Sequence, residues 1–265
     1  MNSFKKEGRP SSQKVYLWKD PIVGMAFVRV PWGHFMMGSN FGYEREKPVH
    51  EVCLDDFWMG QYPVTINGYR RFLLETGDTR GVDLESEHCP INPDENFSIK
   101  ENRFGRDGRR PMVEVSWEGA QAFAAWLRQA SGKAVHLPTE AQWEYAARSG
   151  GRNESYAGGN DLDELGWYYD NADGRTHPVG KKAPNRLGIY DMSGNVWEWC
   201  EDVFDRYAYS RSRAENPLVT SGSPYRAGRG GSWAYNNDSS RCTHRSCLKP
   251  TTSYYTTGFR LVRNN

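Results

Sequence analysis

The residues best equipped for chemistry lie in "GRGGSWAYNNDSSRCTHRSCLKP", residues 228–250. Cys242 and Cys247 flank His244 there. Two thiolates at that spacing suit a soft ion such as Cu(I), or a redox pair. They equally suit a polar loop holding two small thiols. Cys53 and Cys200 sit among apolar and aromatic residues and read as reduced core positions, and Cys89 reads as part of a polar loop. The histidines (His34, His50, His88, His136, His177 and His244) form no His-x₃-His metal pair. No Gly-x-Ser-x-Gly elbow occurs, and "GRGGS" lacks the lysine of a phosphate loop.

The bulk numbers narrow the partners. A formal charge of +1, from 34 basic and 33 acidic residues, is no electrostatic footprint for nucleic acid. The first twenty residues carry charge without an apolar stretch, and no run is long enough to span a bilayer. The expectation is a soluble, cytoplasmic chain. With 10 Trp and 15 Tyr, its core is expected to be built from rings.

Elements must then position these side chains. "MAFVRVPWGHFMMGS" reads as strand, turn and strand, and "HEVCLDDFWMGQYPVT" as one further strand. Thr65 caps a helix that Gly77 stops, with Ile66, Tyr69, Phe72 and Leu73 on one face. Residues 78–110 read as a long polar surface loop. Ser116 caps the clearest helix, and Thr139 with Gln142 forms the capping box of another. After residue 150 periodicity fades, until "TGFRLVRN" reads as a closing strand. Without βαβ alternation the class is α+β, with small antiparallel sheets and much ordered loop.

The segments "FVRVPWGHFMMGS", "YPVTINGYRRFL", "PMVEVSW", "LPTEAQWEYAAR", "HPVGKKAPNRLGIYDMSGNVWEW", "GRGGSW" and "TGFRLV" resemble, in this order, the formylglycine-generating enzyme (sulfatase-modifying factor) family. The resemblance covers residues 25–263 and implies a loop-rich variant of the C-type lectin fold, low in regular structure. It divides the chain into an N-terminal arm, 1–24, and a single sulfatase-modifying-factor-like domain, 25–265. Family membership leaves function open, since the family holds copper-dependent synthases, iron-dependent enzymes, non-catalytic relatives and the diversified proteins of retroelements.

In the copper enzymes of this family, the first thiolate lies five residues after the first glycine of the Gly-Gly-Ser-aromatic motif, and the second five residues further. Those positions hold Tyr235 and Ser240 in this chain. The family's arginine–arginine–proline spacing matches Arg241, Arg245 and Pro250, which puts Cys242 and Cys247 out of catalytic register. Copper is therefore not expected. The resemblance implies a structural Ca²⁺ in "YDMSGNVWEW", held by the side chains of Asp191 and Glu198 and the carbonyls of Gly194 and Val196.

Once scaffold positions are removed, the stretch before "GFR" is rich in Asn, Tyr, Ser, Thr and His. Mutation at adenines of AAC or AAT codons yields such residues, although Lys249 departs from the pattern. Tyrosines give rigid contact area, and Asn and Ser give adaptable hydrogen bonds. The expectation is a non-catalytic module binding a protein or small molecule through Trp233, Tyr235, Asn236, Asn237, Asp238, Ser240, Thr243, His244, Ser246, Tyr254 and Tyr255, with Trp199 beside them. The alternative is an oxidoreductase or protein-modifying enzyme using a different site.

Overall fold

Local signals set the helices. The computed structural model describes residues 15–100 and 106–264. In chain order the strands are β1 (Leu17–Lys19), β2 (Ala26–Val30), β3 (Gly33–Met37), β4 (His50–Leu54) and β5 (Phe57–Gly60), followed by helix α1 (Ile66–Thr76). The short strands β6 (Ile91–Asn92) and β7 (Ser98–Ile99) precede α2 (Trp117–Ser131), β8 (Val135–His136), α3 (Glu140–Ala147) and α4 (Leu162–Leu165). The chain closes with β9 (Trp197–Val203), β10 (Arg226–Arg229), β11 (Arg245–Leu248), β12 (Thr257–Gly258) and β13 (Val262–Asn264). The Thr65 and Ser116 hydroxyls accept from Gly68 and Gly119 N–H, and Thr139 and Gln142 cap each other's backbone. The α+β, loop-rich fold of the formylglycine-generating enzymes is the fold observed.

Two main sheets carry the molecule. One runs β1-β2-β5-β13-β8, and the other runs β11-β10-β9-β12 with only the β12–β9 pair parallel. Strand alternation splits the core in two. Phe27 faces a cluster with Tyr69, Phe72, Phe123, Trp199 and Phe259, while Val28 and Val30 face a second with Trp143, Met192, Cys200 and Cys242. Burying rings on both sides of thin sheets stands in for long aliphatic strands.

Several expectations change. "HEVCLDDFWMGQYPVT" is two strands, because the chain leaves β4 at Asp55–Asp56 and enters a different sheet as β5. Residues 1–14 of the expected arm lie outside the described residues, but Leu17–Lys19 pairs with β2 as a sheet edge. Cys89 is fully buried beside Ile91, so residues 78–110 are anchored by core side chains. Residues 101–105 of that stretch also lie outside the described residues.

Candidate functional site

A layer of buried charge supports the site. Helix α3 turns Glu140 and Glu144 inward, where Arg245 from β11 pairs with Glu140 and Arg229 from β10 pairs with Glu144. All four side chains are at most 3% exposed. Burial pushes Glu140 up, but Arg245 and Arg229 outweigh it and hold the carboxyl ionised. Removing either partner of such a pair would strand a charge, so these pairs lock β10 and β11 in one position on α3.

Above this layer the polypeptide returns from residue 241 to meet the loop at 41–46. Arg241 donates to both oxygens of Glu46, at 2.8 and 2.9 Å, and its Nε donates to Asp238 at 2.7 Å. The Thr243 hydroxyl and the Tyr43 N–H also donate to Glu46. Burial raises Glu46, but these donors together bring it below the ordinary carboxylate range. One buried carboxylate thus fixes two loops whose residues are some 195 positions apart.

His244 is buried at their junction. Arg45 Nη2 donates to its Nε2 at 3.2 Å, so the ring proton sits on Nδ1, 3.9 Å from Asp238 Oδ2. Burial, reinforced by Arg45, depresses His244 to about 4, and the ring is neutral at physiological pH. Its ring lies 5.4 Å from Tyr43 and 5.6 Å from Trp197, and Trp197 lies 5.5 Å from Tyr235. The result is a continuous aromatic series, Tyr43–His244–Trp197–Tyr235. Its outer tyrosines are 48% and 45% exposed, and its middle is buried. Beside it opens a polar cleft of about 360 Å³ lined by Ser39, Phe41, Arg148, Asp238, Arg241 and Thr243, with Phe41 fully exposed.

The expected binding residues divide. Tyr235, Asn236, Asn237, Asp238, Thr243 and His244 share this face. Asn236 spends its side-chain oxygen capping the 3₁₀ turn Asn237–Ser240. Trp233 and Tyr255 adjoin the face, their rings 5.9 Å apart, and Tyr255 also meets His88 at 4.6 Å. Ser240 is fully buried, and its carbonyl accepts from the Ser193 hydroxyl. Ser246 lies on β11 opposite Gly228, and half-buried Tyr254 packs at 6.2 Å from Trp199. Trp199 is a core residue whose Nε1 donates to the Val115 carbonyl. Trp197, two positions earlier, is the one under the face. Tyr43, Arg45 and Glu46 carried no local signal, since their role exists only once the distant loop docks.

The cysteines separate as well. Cys242 is enclosed in the core, where burial pushes its thiol far up, while Cys247 is exposed on β11. A thiol so hard to ionise is a poor nucleophile and metal ligand.

Of the four residues expected to hold calcium, the two carboxylates, Asp191 and Glu198, already have protein partners. Both Glu198 oxygens accept from Arg260 at 2.7 Å, and Oε2 also accepts from Trp143 Nε1 at 2.6 Å. Arg260 itself is fully buried. The guanidinium thus supplies the counter-charge of that carboxylate. Asp191 accepts from the Gly180 N–H at 2.7 Å and from Asn195 Nδ2 at 3.3 Å. Burial raises Asp191 to about 6. Asn195 in turn brackets His177, accepting from its N–H and donating to its carbonyl. Side-chain hydrogen bonds thus pin the turn that the resemblance assigned to a metal.

The fold is that of a formylglycine-generating-enzyme-type domain, and on it lies an aromatic series that opens to the surface at Tyr43 and Tyr235. The chain belongs to the family of the sulfatase-modifying factor enzyme 1-like domain, which it matches over residues 19–265. It is 34% identical over 249 residues to the serine/threonine-protein kinase Pkn1 of Chlamydia trachomatis, covering 89% of this chain but 38% of that protein. The chain thus spans well under half of the chlamydial relatives it matches. It is 31% identical over 284 residues to the formylglycine-generating enzyme of Streptomyces coelicolor, covering 89% and 88% of the two chains. Among solved structures it resembles PvdO from Pseudomonas aeruginosa, with a TM-score of 0.78 at 26% identity over 96% of this chain and 100% of that one. It shares the fold of Treponema denticola variable protein 1, with a TM-score of 0.76 at 24% identity over 97% and 100%. Among the described residues no helix is long and apolar enough to cross a membrane.

Proposed function

We propose that this chain is a non-catalytic recognition module that binds a protein or small-molecule ligand on the face Tyr43–His244–Trp197–Tyr235. The observation that carries the reading is the aromatic series itself, exposed at its outer rings Tyr43 and Tyr235 and rimmed by Asn236, Asn237 and Asp238. Rigid rings with adaptable polar neighbours supply contact area at low entropic cost. The composition of residues 235–257 further supports a diversified surface, of the kind found in retroelement variable proteins. The kinase activity named for Pkn1 belongs to that longer protein and is not assigned to this chain. The second reading, a protein-modifying oxidoreductase, draws on the likeness to the Streptomyces coelicolor enzyme.

Selection of a phage-displayed random-peptide library on the wild-type protein tests the proposal. Enriched peptides are expected to lose at least about ten-fold in affinity on Tyr235→Ala and on Tyr43→Ala, roughly 1.4 kcal/mol. Both tyrosines are about half exposed, so melting temperatures should barely move. Leu218→Ala, at a distant exposed position, should bind as wild type. Peptides that bind all three variants equally would put recognition elsewhere.

A further inference from the structure

Glu114 is an anomaly among the buried carboxylates. Glu46, Glu140, Glu144 and Glu198 each hold an arginine. Asp20, Asp191 and Asp202 each cap backbone N–H groups. Glu114 is 4% exposed, and among the described residues its carboxylate has neither an ion pair nor a backbone donor, accepting only from the Ser86 hydroxyl at 2.8 Å. Its backbone is also left-handed, at φ 58°, a conformation that costs a non-glycine residue about 1 kcal/mol or more. Strain together with a carboxylate that has no ion pair among the described residues is the pattern of a site kept for binding rather than for stability.

The surroundings indicate what would bind. The Glu114 N–H donates to the Tyr254 carbonyl at 3.1 Å, which places the residue beneath the Tyr254–Tyr255 segment. The Ser86 oxygen that donates to Glu114 also accepts from the His88 N–H at 3.1 Å, and the His88 ring lies against Tyr255, which in turn meets Trp233. Burial, with Asp83 adding like charge, raises the Glu114 carboxyl, and nothing but the Ser86 hydroxyl and His88 works against that. A hard metal ion wants several oxygens, which one carboxylate and ring faces do not supply. An organic ammonium is satisfied by a single carboxylate with aromatic faces around its carbon atoms.

We propose that Glu114 is the anionic floor of a subsite for an organic ammonium group, walled by His88, Tyr255 and Trp233. This rests on the reading of the adjoining face as a recognition surface, and it specifies one chemical feature of the ligand. The ammonium group supplies the counter-charge that no ion pair among the described residues provides.

The test is an NMR titration at pH 7.5 and fixed ionic strength with two probes, Nα-acetyl-lysine amide and its neutral Nε-acetylated form. The charged probe is expected to bind at least ten-fold more tightly, shifting amide signals around Glu114 and Tyr255. Glu114→Gln keeps an acceptor for Ser86 and should abolish the preference. It also removes a buried charge that has no counter-ion among the described residues, so its melting temperature at pH 8 should equal or exceed that of wild type. Tyr255→Leu should weaken the preference with little loss of stability. Equal binding of the two probes, binding of neither, or a preference that survives in Glu114→Gln would overturn the proposal. So would a lower melting temperature for Glu114→Gln, which would make the residue structural. If peptide selection fails while the lysine preference holds, only the wider recognition reading falls. The reverse result sinks only the ammonium subsite.

Discussion

Glu198→Ala is expected to lower the free energy of unfolding by about 3–5 kcal/mol, the cost of stranding a buried charge. Arg260 gives Glu198 a two-pronged pair and sends its remaining donors to the carbonyls of Gly60 and Tyr190, at 2.9 and 2.8 Å. With Glu198 gone, the guanidinium keeps two carbonyls but loses its only counter-charge among the described ion pairs, and Trp143 Nε1 loses its acceptor. Urea denaturation measures the loss. Glu198→Leu combined with Arg260→Met should recover most of it, because no lone charge remains. Calcium added in excess should leave the wild-type curve unchanged, since Arg260 already satisfies the carboxylate. A Glu198→Ala protein as stable as wild type would show that the pair does not hold β9 to the segment after β12.

Gly231→Ala should have the second-largest effect, about 3 kcal/mol from strain and overpacking together. Gly231 has φ 74°, and a Cβ there would lie 2.7 Å from Ser240 Oγ and 2.9 Å from the Ser239 backbone. Hydroxyl rotation relieves the first contact but not the second. The 3₁₀ turn carrying Asn237 and Asp238 must therefore shift, and with it Arg241 and the Tyr43 loop. Gly77 is the internal control. It has φ 65° with no atom within 4 Å of an added Cβ, so Gly77→Ala should show the backbone cost alone, about 1–2 kcal/mol. Equal losses at the two glycines would mean that the turn at 237–240 yields freely, contrary to the tight packing described.

These two sites also mark how far the sequence could be read. Caps were legible because a Ser or Thr and the N–H it satisfies lie within three residues, as at Thr65, Ser116 and Thr139. The separation of Cys242 from Cys247 agrees with the count from "GRGGSW" and "TGFRLV", which had put the pair out of catalytic register. Arg260 was invisible as the partner of Glu198, because 62 residues separate them and no periodicity links the two. The same holds for Glu46 with Arg241 and for Arg45 with His244. Trp197 and Trp199 look alike in "VWEW". Trp197 lies at the first residue of β9, where the strand emerges toward the loops, while Trp199 is covered by the second core. Ser240 and Cys89 looked exposed in polar surroundings, and both are fully buried where distant segments close over them.

Recognition rather than oxidation is tested most directly by incubating the wild-type protein with Cu(I), oxygen, a thiol reductant and a Cys-x-Pro-x-Arg peptide, and following the peptide mass. No formylglycine is expected above the protein-free control, because Tyr235 and Ser240 occupy the thiolate positions and the Cys242 thiol is buried and strongly disfavoured as a thiolate. Catalytic conversion of the peptide cysteine to formylglycine, lost in Cys242→Ser or Cys247→Ser, would contradict the account.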